Sequence, residues 1–344
     1  MEGYRRVSVF YPRGVRTGGP EALHQLVDEL RAVGHDAALV PIPGSERARR
    51  VAAYERYDAP EAPSPATGPD DAVVVPEVWI PARRVLGQAT RISWWLSVDN
   101  SPLFMDERRR EHARAGRAEP SATPLRSRLR GPVRRMLVPV RERRLAGAVH
   151  VAQSAYAQEQ VRARWGQPVR LLSDYTVLSA AQGSNHDGRL DSGEEPTVAF
   201  NPAKGGAVIE EVRRLVARPV RWLPIVDMTP EEVGAALARS SVYLDLGHLP
   251  GKDRLPREAA LSGAVTLLAA IGAGANEHDF PVPAAHRIPA GPQLARDAAS
   301  VLDRVLADIP GHWAAQAGFR TLLGGERKTF QREVAEIFGE GPPS

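Results

Sequence analysis

The 344-residue sequence contains no cysteine. That excludes disulfides, thiolate zinc sites and a cysteine nucleophile. Lysine is almost missing too: Lys204, Lys252 and Lys328 are the only three, so arginine carries nearly all the positive charge. No apolar run approaches the roughly 20 residues that a membrane-spanning helix needs. The longest, such as AVVVPEVWI at 72–80, are strand-sized. The opening MEGYRRVSVFYP lacks the layout of a signal peptide, and a cytoplasmic location is the expectation. No cluster of His, Asp and Glu has metal-ligand spacing and there is no Asp-x-Asp pair, so no metal is expected.

The remaining composition is that of a globular protein. The apolar fraction of 43% is ordinary, and the length suffices for two domains. The net charge of +4 is unevenly placed. Residues 105–145 hold 13 Arg against 5 acidic residues, a local +8 that leaves about −4 for the rest. The second half of this stretch can be drawn as a basic helix with Met136, Leu137 and Val140 along one side. It reads either as a solvated insertion or lid, or as a surface for anionic lipid or an anionic acceptor. No aromatic residues interleave with the arginines, so nucleic acid is not the expected partner.

Strand-length apolar runs alternate with helix-length amphipathic segments. VSVFYP (7–12), a helix near 18–33, DAALVPI (36–42), AVVVPEV (72–78), RISWWLSV (91–98), GAVHVAQS (147–154) and VRLLSDY (169–175) form a first series. These runs lack clean alternation, as strands buried on both faces of a parallel sheet do. The Gly-, Ser- and acid-rich 177–196 reads as a linker. A second series follows with TVAFNPA (197–203), a helix near 206–217, VRWLPIV (220–226), a helix over 229–240, VYLDLG (242–247), a helix over about 255–263 and VTLLAAI (265–271). Residues 291–308 and 310–338 read as helical, with Pro310 at the junction. The expected fold class is α/β, with two doubly wound Rossmann-like domains facing across a cleft. The first covers 1–176 with the Arg-rich insertion 105–145, the second 197–310, and 311–344 is a helical segment returning to the first domain.

Ligands of such sheets lie beyond the carboxyl ends of the strands. Three turns there stand out. In GKDRLPREAALSGAV (251–265), Lys252, Arg254 and Arg257 crowd a helix start, where unpaired N–H groups and the dipole already favour anions. Phosphate is the obvious guest. Glu258, one turn in, disfavours phosphate and suits a vicinal diol such as a ribose; local ion pairs, such as Asp253 with Arg257, are the plainer reading of the same stretch. In FNPAKGG (200–206), Lys204 and Gly205 precede a helix, so ammonium and backbone can both reach a phosphate. In RTGGPEALHQL (16–26), Gly18 and Gly19 allow close approach of a ligand and Pro20 suits a first helical turn.

These segments resemble the GT-B fold glycosyltransferases, nearest to the retaining nucleotide-sugar-dependent group that includes sucrose and glycogen synthases (glycosyltransferase family 4-like). ELRAVGHDAALV (29–40) resembles that fold's passage from first helix to second strand, and GAVHVAQSAYAQEQVRARWG (147–166) the segment before its interdomain linker. RLPREAALSGAV (254–265) resembles the donor-binding helix. The resemblance implies that Glu258 holds the nucleotide ribose, and that Lys204 with Lys252 or Arg254 grips the diphosphate. It also implies an acceptor-side first domain, a nucleotide sugar as substrate, no cofactor or metal, and a retaining outcome. Pro250 stands where the family has a first glutamate beside the sugar, which leaves Asp253 to supply that contact. The late loop IGAGANE (271–277) would line the sugar pocket.

Catalytic candidates come from strand ends of the first domain. WWLSVDN (94–100) ends in Asp99 and Asn100, VVVPEVW (73–79) carries Glu77, and His24 lies one turn into the glycine-led helix. Either carboxylate suits a base or a sugar contact. Trp94, Trp95 and His150 read as core residues. Two rivals share the fold: a nucleotide-sugar isomerase or epimerase, and a non-catalytic sugar-nucleotide-binding protein. For the basic segment, the lipid reading makes a direct prediction. The protein should sediment with anionic vesicles at low salt and be released as salt rises. Changing Arg134, Arg135, Arg141, Arg143 and Arg144 to Gln should abolish this.

Overall fold

The structure, a computed structural model, describes residues 3–104, 131–178 and 195–339. Much of the Arg-rich stretch, 105–130, and most of the expected linker, 179–194, lie outside the described residues. The chain divides into two units: Met1–Asp174 with Lys328–Ser344, and Tyr175–Arg327. Among the described residues no helix is long and apolar enough to cross a membrane.

The first unit carries six strands: β1 (Arg6–Tyr11), β2 (Asp36–Pro41), β3 (Ala72–Pro76), β4 (Thr90–Trp95), β5 (Val149–Ala152) and β6 (Val169–Leu171). All pairings are parallel, in the order β2-β1-β3-β4-β5-β6. Every residue of β3 is buried, which explains its unbroken apolar run. Its helices are α1 (Gly18–Ala32), α2 (Gly131–Leu145) and α3 (Ala155–Trp165). Ser154 starts α3 by accepting the Ala157 N–H at 3.1 Å, and Gly166, at φ 65°, ends it. At the end of α2, the Arg144 guanidinium donates to the Ile80 carbonyl at 3.2 Å and the Arg144 carbonyl accepts from Arg91 at 2.6 Å. Arg144 is therefore a packing residue as well as a basic one, while Val140 of the expected apolar side is 42% exposed.

The second unit begins with β7 (Thr197–Phe200), α4 (Gly206–Leu215), β8 (Arg221–Pro224), α5 (Pro230–Ala238), β9 (Val242–Asp245), α6 (Arg254–Leu261) and β10 (Val265–Ala269). β11 (Arg287–Ile288), α7 (Leu294–Ala307), α8 (Ile309–Ala315) and α9 (Ala317–Gly324) follow. A last helix, α10 (Glu326–Phe338), starts here and runs on into the first unit. The sheet is again parallel, ordered β11-β10-β9-β7-β8. Phe200, Ile209, Leu244, Leu267 and Leu302 form the centre of its core between strands, α4 and α7. α5 opens with a capping box: Thr229 accepts from the Glu232 N–H at 3.2 Å and Glu232 from the Thr229 N–H at 2.7 Å.

The stretch expected to be helical over 310–338 is helical, divided into three helices. Gln316 stands at the first break and pairs with both backbone groups of Thr266, at 3.0 and 2.7 Å; Gly324 and Gly325 stand at the second. The two-residue β11 gave no apolar run to read.

One polar network ties this unit together. The Arg257 guanidinium, with no exposed side-chain surface, meets the Glu326 carboxylate at 3.0 and 3.1 Å. Arg257 also donates to the carbonyls of Asp253 (3.2 Å) and Lys252 (2.7 Å). Glu326, 3% exposed, takes Lys252 at 3.1 Å and accepts the N–H and hydroxyl of Thr176 at 2.9 Å each. Burial pushes the Glu326 carboxyl up, but Arg257, Lys252 and the Thr176 N–H together hold it below its ordinary range. Removing one member of such a set strands a buried charge. Glu326→Ala should therefore cost about 3–5 kcal/mol, and Arg257→Met with Glu326→Leu much less. Urea unfolding midpoints of the single and double variants check this.

Candidate functional site

The strand order of the second unit places its topological switch point between β7 and β9, where chain leaves the two strands in opposite directions. The loop after β7 is a tight turn. Asn201 accepts the Ala203 N–H on its side chain at 3.0 Å and the Lys204 N–H on its carbonyl at 2.9 Å. Gly205 then sits at φ 74°, and α4 begins. The loop after β9 passes directly against it. A Cβ on Gly205 would lie 2.8 Å from the Leu246 carbonyl carbon, and one on Gly247 would lie 2.6 Å from the Lys204 Cβ. Only glycine at both positions lets the two loops cross this closely.

That crossing fixes Lys204. Its ammonium donates to the Asp253 carboxylate, at the start of α6. Both side chains keep partial exposure, 28% and 24%. Neither Gly205 nor Asp253 caps its helix with a side chain. The first-turn N–H groups of α4 and α6 therefore have no side-chain cap from these two residues. Arg254, the first residue of α6, pairs with Glu258 one turn in, at 2.8 Å. The pair is half-buried, with 22% and 13% of the side chains exposed. Lys204, Gly205, Asp253, Arg254 and Glu258 thus gather at two helix N-termini, a setting suited to an anion and a neighbouring diol. Arg257 and Lys252, grouped with them in sequence, turn instead to Glu326.

A further carboxyl belongs to this site, one that the sequence reading missed. Asp245, last residue of β9, is fully buried; it accepts the Gly247 N–H at 3.0 Å and the Tyr243 hydroxyl at 3.2 Å. Burial raises its pKa, Lys204 opposes the shift and Asp253 reinforces it. The available signal was a lone carboxylate closing an apolar strand. Among the described residues no group of three or more His, Asp and Glu gathers to hold a metal.

The first-unit candidates stand on the carboxyl side of their own sheet. Glu77 follows β3 and accepts the N–H groups of Leu96 (3.0 Å) and Ser97 (3.1 Å), shaping the loop after β4. Burial raises it to about 7. Asp99, in the short turn that follows, accepts the Tyr156 hydroxyl at 3.1 Å, and Asn100 beside it is exposed. Gly18 and Gly19 open α1, and a Cβ at Gly19 would make an ordinary 3.7 Å contact with Leu96. His24 is buried against Tyr11 and Tyr54, with Nδ1 2.7 Å from the Pro20 carbonyl. Burial lowers it to about 4, so the ring is neutral near pH 7. The carbonyl can only accept, so Nδ1 carries the proton and Nε2 the lone pair. His150 is a core residue, stacked on Trp165 and accepting from Trp95 at 3.1 Å.

No protein-family model matches the sequence, and no curated protein matches it. Solved structures do match, along nearly the whole chain. A sucrose-phosphate synthase from Thermosynechococcus elongatus superposes with a TM-score of 0.66 at 12% identity, over 98% of each chain. HepE of Anabaena, solved with UDP-glucose, gives 0.62 at 11% identity, over 97% of this chain and 99% of its own. WaaG, a glycosyltransferase of lipopolysaccharide biosynthesis, gives 0.60 at 11%, over 96% and 99%. The class that these two parallel sheets define is the GT-B fold.

Glu77 supplies a test in solution. Its folded pKa of about 7 lies above the ordinary 4.5. Between those values the folded protein keeps a proton that the unfolded chain has released, so this group's contribution falls as pH rises through the window. Urea midpoints at pH 5 and pH 7.5 should show wild type losing stability relative to Glu77→Gln at the higher pH.

Proposed function

We propose that this chain is a glycosyltransferase that moves a sugar from a nucleoside-diphosphate sugar to an acceptor. The observation that carries the reading is the switch-point site of the second unit. There Lys204, just before α4, reaches Asp253 at the start of α6, next to Arg254 and with Glu258 one turn further on. The same fold occurs in a protein solved with UDP-glucose.

In this reading Lys204, Arg254 and the N–H groups opening α4 and α6 hold the diphosphate. Glu258 accepts hydrogen bonds from the ribose hydroxyls while its other oxygen keeps Arg254. As the bond between the anomeric carbon and the leaving oxygen stretches, negative charge grows on the diphosphate. The cations and helix dipoles that hold the diphosphate stabilise that charge as it develops. They supply the positive charge themselves, so the reading calls for no metal or other cofactor. Acceptor chemistry is assigned to the first unit. Glu77 and Asp99 are its candidates for a base or a sugar contact; Glu77 also accepts the N–H groups of Leu96 and Ser97, and Asp99 the Tyr156 hydroxyl. A retaining outcome, cytoplasmic placement and contact of the basic segment with an anionic membrane or acceptor belong to the same proposal.

A panel of UDP- and GDP-sugars, assayed for donor hydrolysis and transfer, tests the activity. Epimerised donor with no released nucleotide would favour the isomerase reading. Calorimetry tests the site. Lys204→Ala and Arg254→Ala should weaken UDP or GDP far more than uridine or guanosine. Glu258→Gln should weaken nucleotide and nucleoside alike, by about 1–3 kcal/mol. Unchanged affinity in folded variants would overturn the assignment.

A further inference from the structure

Two acids stand among the cations of the switch-point site. Lys204 and Arg254 are matched by Asp253 and Glu258, so the site is close to neutral as built. The Arg254–Glu258 pair is the ordinary i,i+4 arrangement along one helix face. The Lys204–Asp253 pair is different. It joins two loops 49 residues apart, and it draws the aspartate away from the role its position invites. An aspartate at a helix N-cap ordinarily accepts an N–H of the first turn. Asp253 has the extended backbone of an N-cap, φ −60° and ψ 147°, yet its side chain makes no cap bond. Its carboxylate reaches Lys204 instead.

We propose that Asp253 is a built-in competitor for the phosphate seat, its carboxylate and the ligand's phosphate contending for the Lys204 ammonium. The inference rests on the reading of this site as a diphosphate seat. Three features support exchange. Lys204 and Asp253 both keep about a quarter of their side-chain surface in solvent, so the pair can open without unburying a charge. The loop backbone does not depend on the Asp253 carboxylate: Arg257 holds the carbonyls of Asp253 and Lys252, and is itself fixed by Glu326. Once released, the Asp253 side chain stands at the helix start whose N–H groups it leaves uncapped. The other acid near Lys204, Asp245, is fully buried and engaged with Tyr243 and Gly247, and does not exchange with solvent.

The consequence is a common cost. Every ligand whose phosphate takes the Lys204 ammonium must first displace the Asp253 carboxylate. Asp253 thereby lowers the affinity of all such ligands by the same factor and leaves a ligand without phosphate untouched. This assigns Asp253 a role opposite in sign to a sugar contact, since its removal tightens binding.

The test is calorimetric titration of the full chain with inorganic pyrophosphate, UDP and uridine. Asp253→Asn should bind pyrophosphate and UDP roughly 3- to 10-fold more tightly than wild type, the range expected when one partly exposed ion pair no longer has to be broken. Uridine, which carries no phosphate, should be unaffected. Asp253→Glu, which keeps the charge, should stay near wild type. Thermal unfolding of each variant shows that the comparison is between folded proteins. Unchanged or weaker pyrophosphate binding by Asp253→Asn overturns the proposal. So does an equal gain for uridine, or a gain by Asp253→Glu as large as that by Asp253→Asn. If no nucleotide sugar is turned over while Asp253→Asn still tightens pyrophosphate, the glycosyltransferase reading falls and the competitor role stands.

Discussion

Arg257 has no exposed surface, and the loop between β9 and α6 depends on how its charge is met. Glu326 meets it from 69 residues away, and the same carboxylate also takes Lys252 and Thr176. A buried guanidinium without such a partner is too costly to keep, so the pairing fixes the loop as firmly as apolar packing would. By holding the carbonyls of Lys252 and Asp253, Arg257 sets where α6 begins. That in turn decides where Asp253, Arg254 and Glu258 stand. The same carboxylate takes Thr176, so residues at both ends of the second unit's chain converge on it.

The site itself is a product of close backbone crossing. Parallel strands with the order β11-β10-β9-β7-β8 leave a switch point between β7 and β9, and the loops there would collide if either carried a side chain at Gly205 or Gly247. Glycine lets them touch, and touching places Lys204 within reach of Asp253. Burial beneath the loops gives Asp245 a raised pKa and a structural role, in which it receives the Gly247 N–H and the Tyr243 hydroxyl. A carboxyl in the first unit likewise combines structure with a shifted titration. Glu77 orders the loop after β4 through two backbone N–H groups, and its burial is what moves its titration toward neutrality.

Much of this was legible in the amino-acid sequence. Continuous apolar runs separated by amphipathic helices identified two parallel sheets, because strands covered on both faces need no polar alternation. A short cue such as Thr229-Pro230 marked a helix start through local chemistry. Lys204, Gly205, Arg254 and Glu258 were readable as a group because each lies just after a strand or at a helix start, and position along an α/β chain already implies position at the carboxyl edge of the sheet. The tertiary structure decided what each charge does. Lys252, Arg254 and Arg257 look alike in sequence, yet two of them face Glu326 and one faces Glu258. Asp253 reads locally as a helix cap and acts as the partner of Lys204. Local pattern fixes which residues stand near a helix start, but an ion pair is chosen by burial and distance, and both are set by segments dozens of residues away.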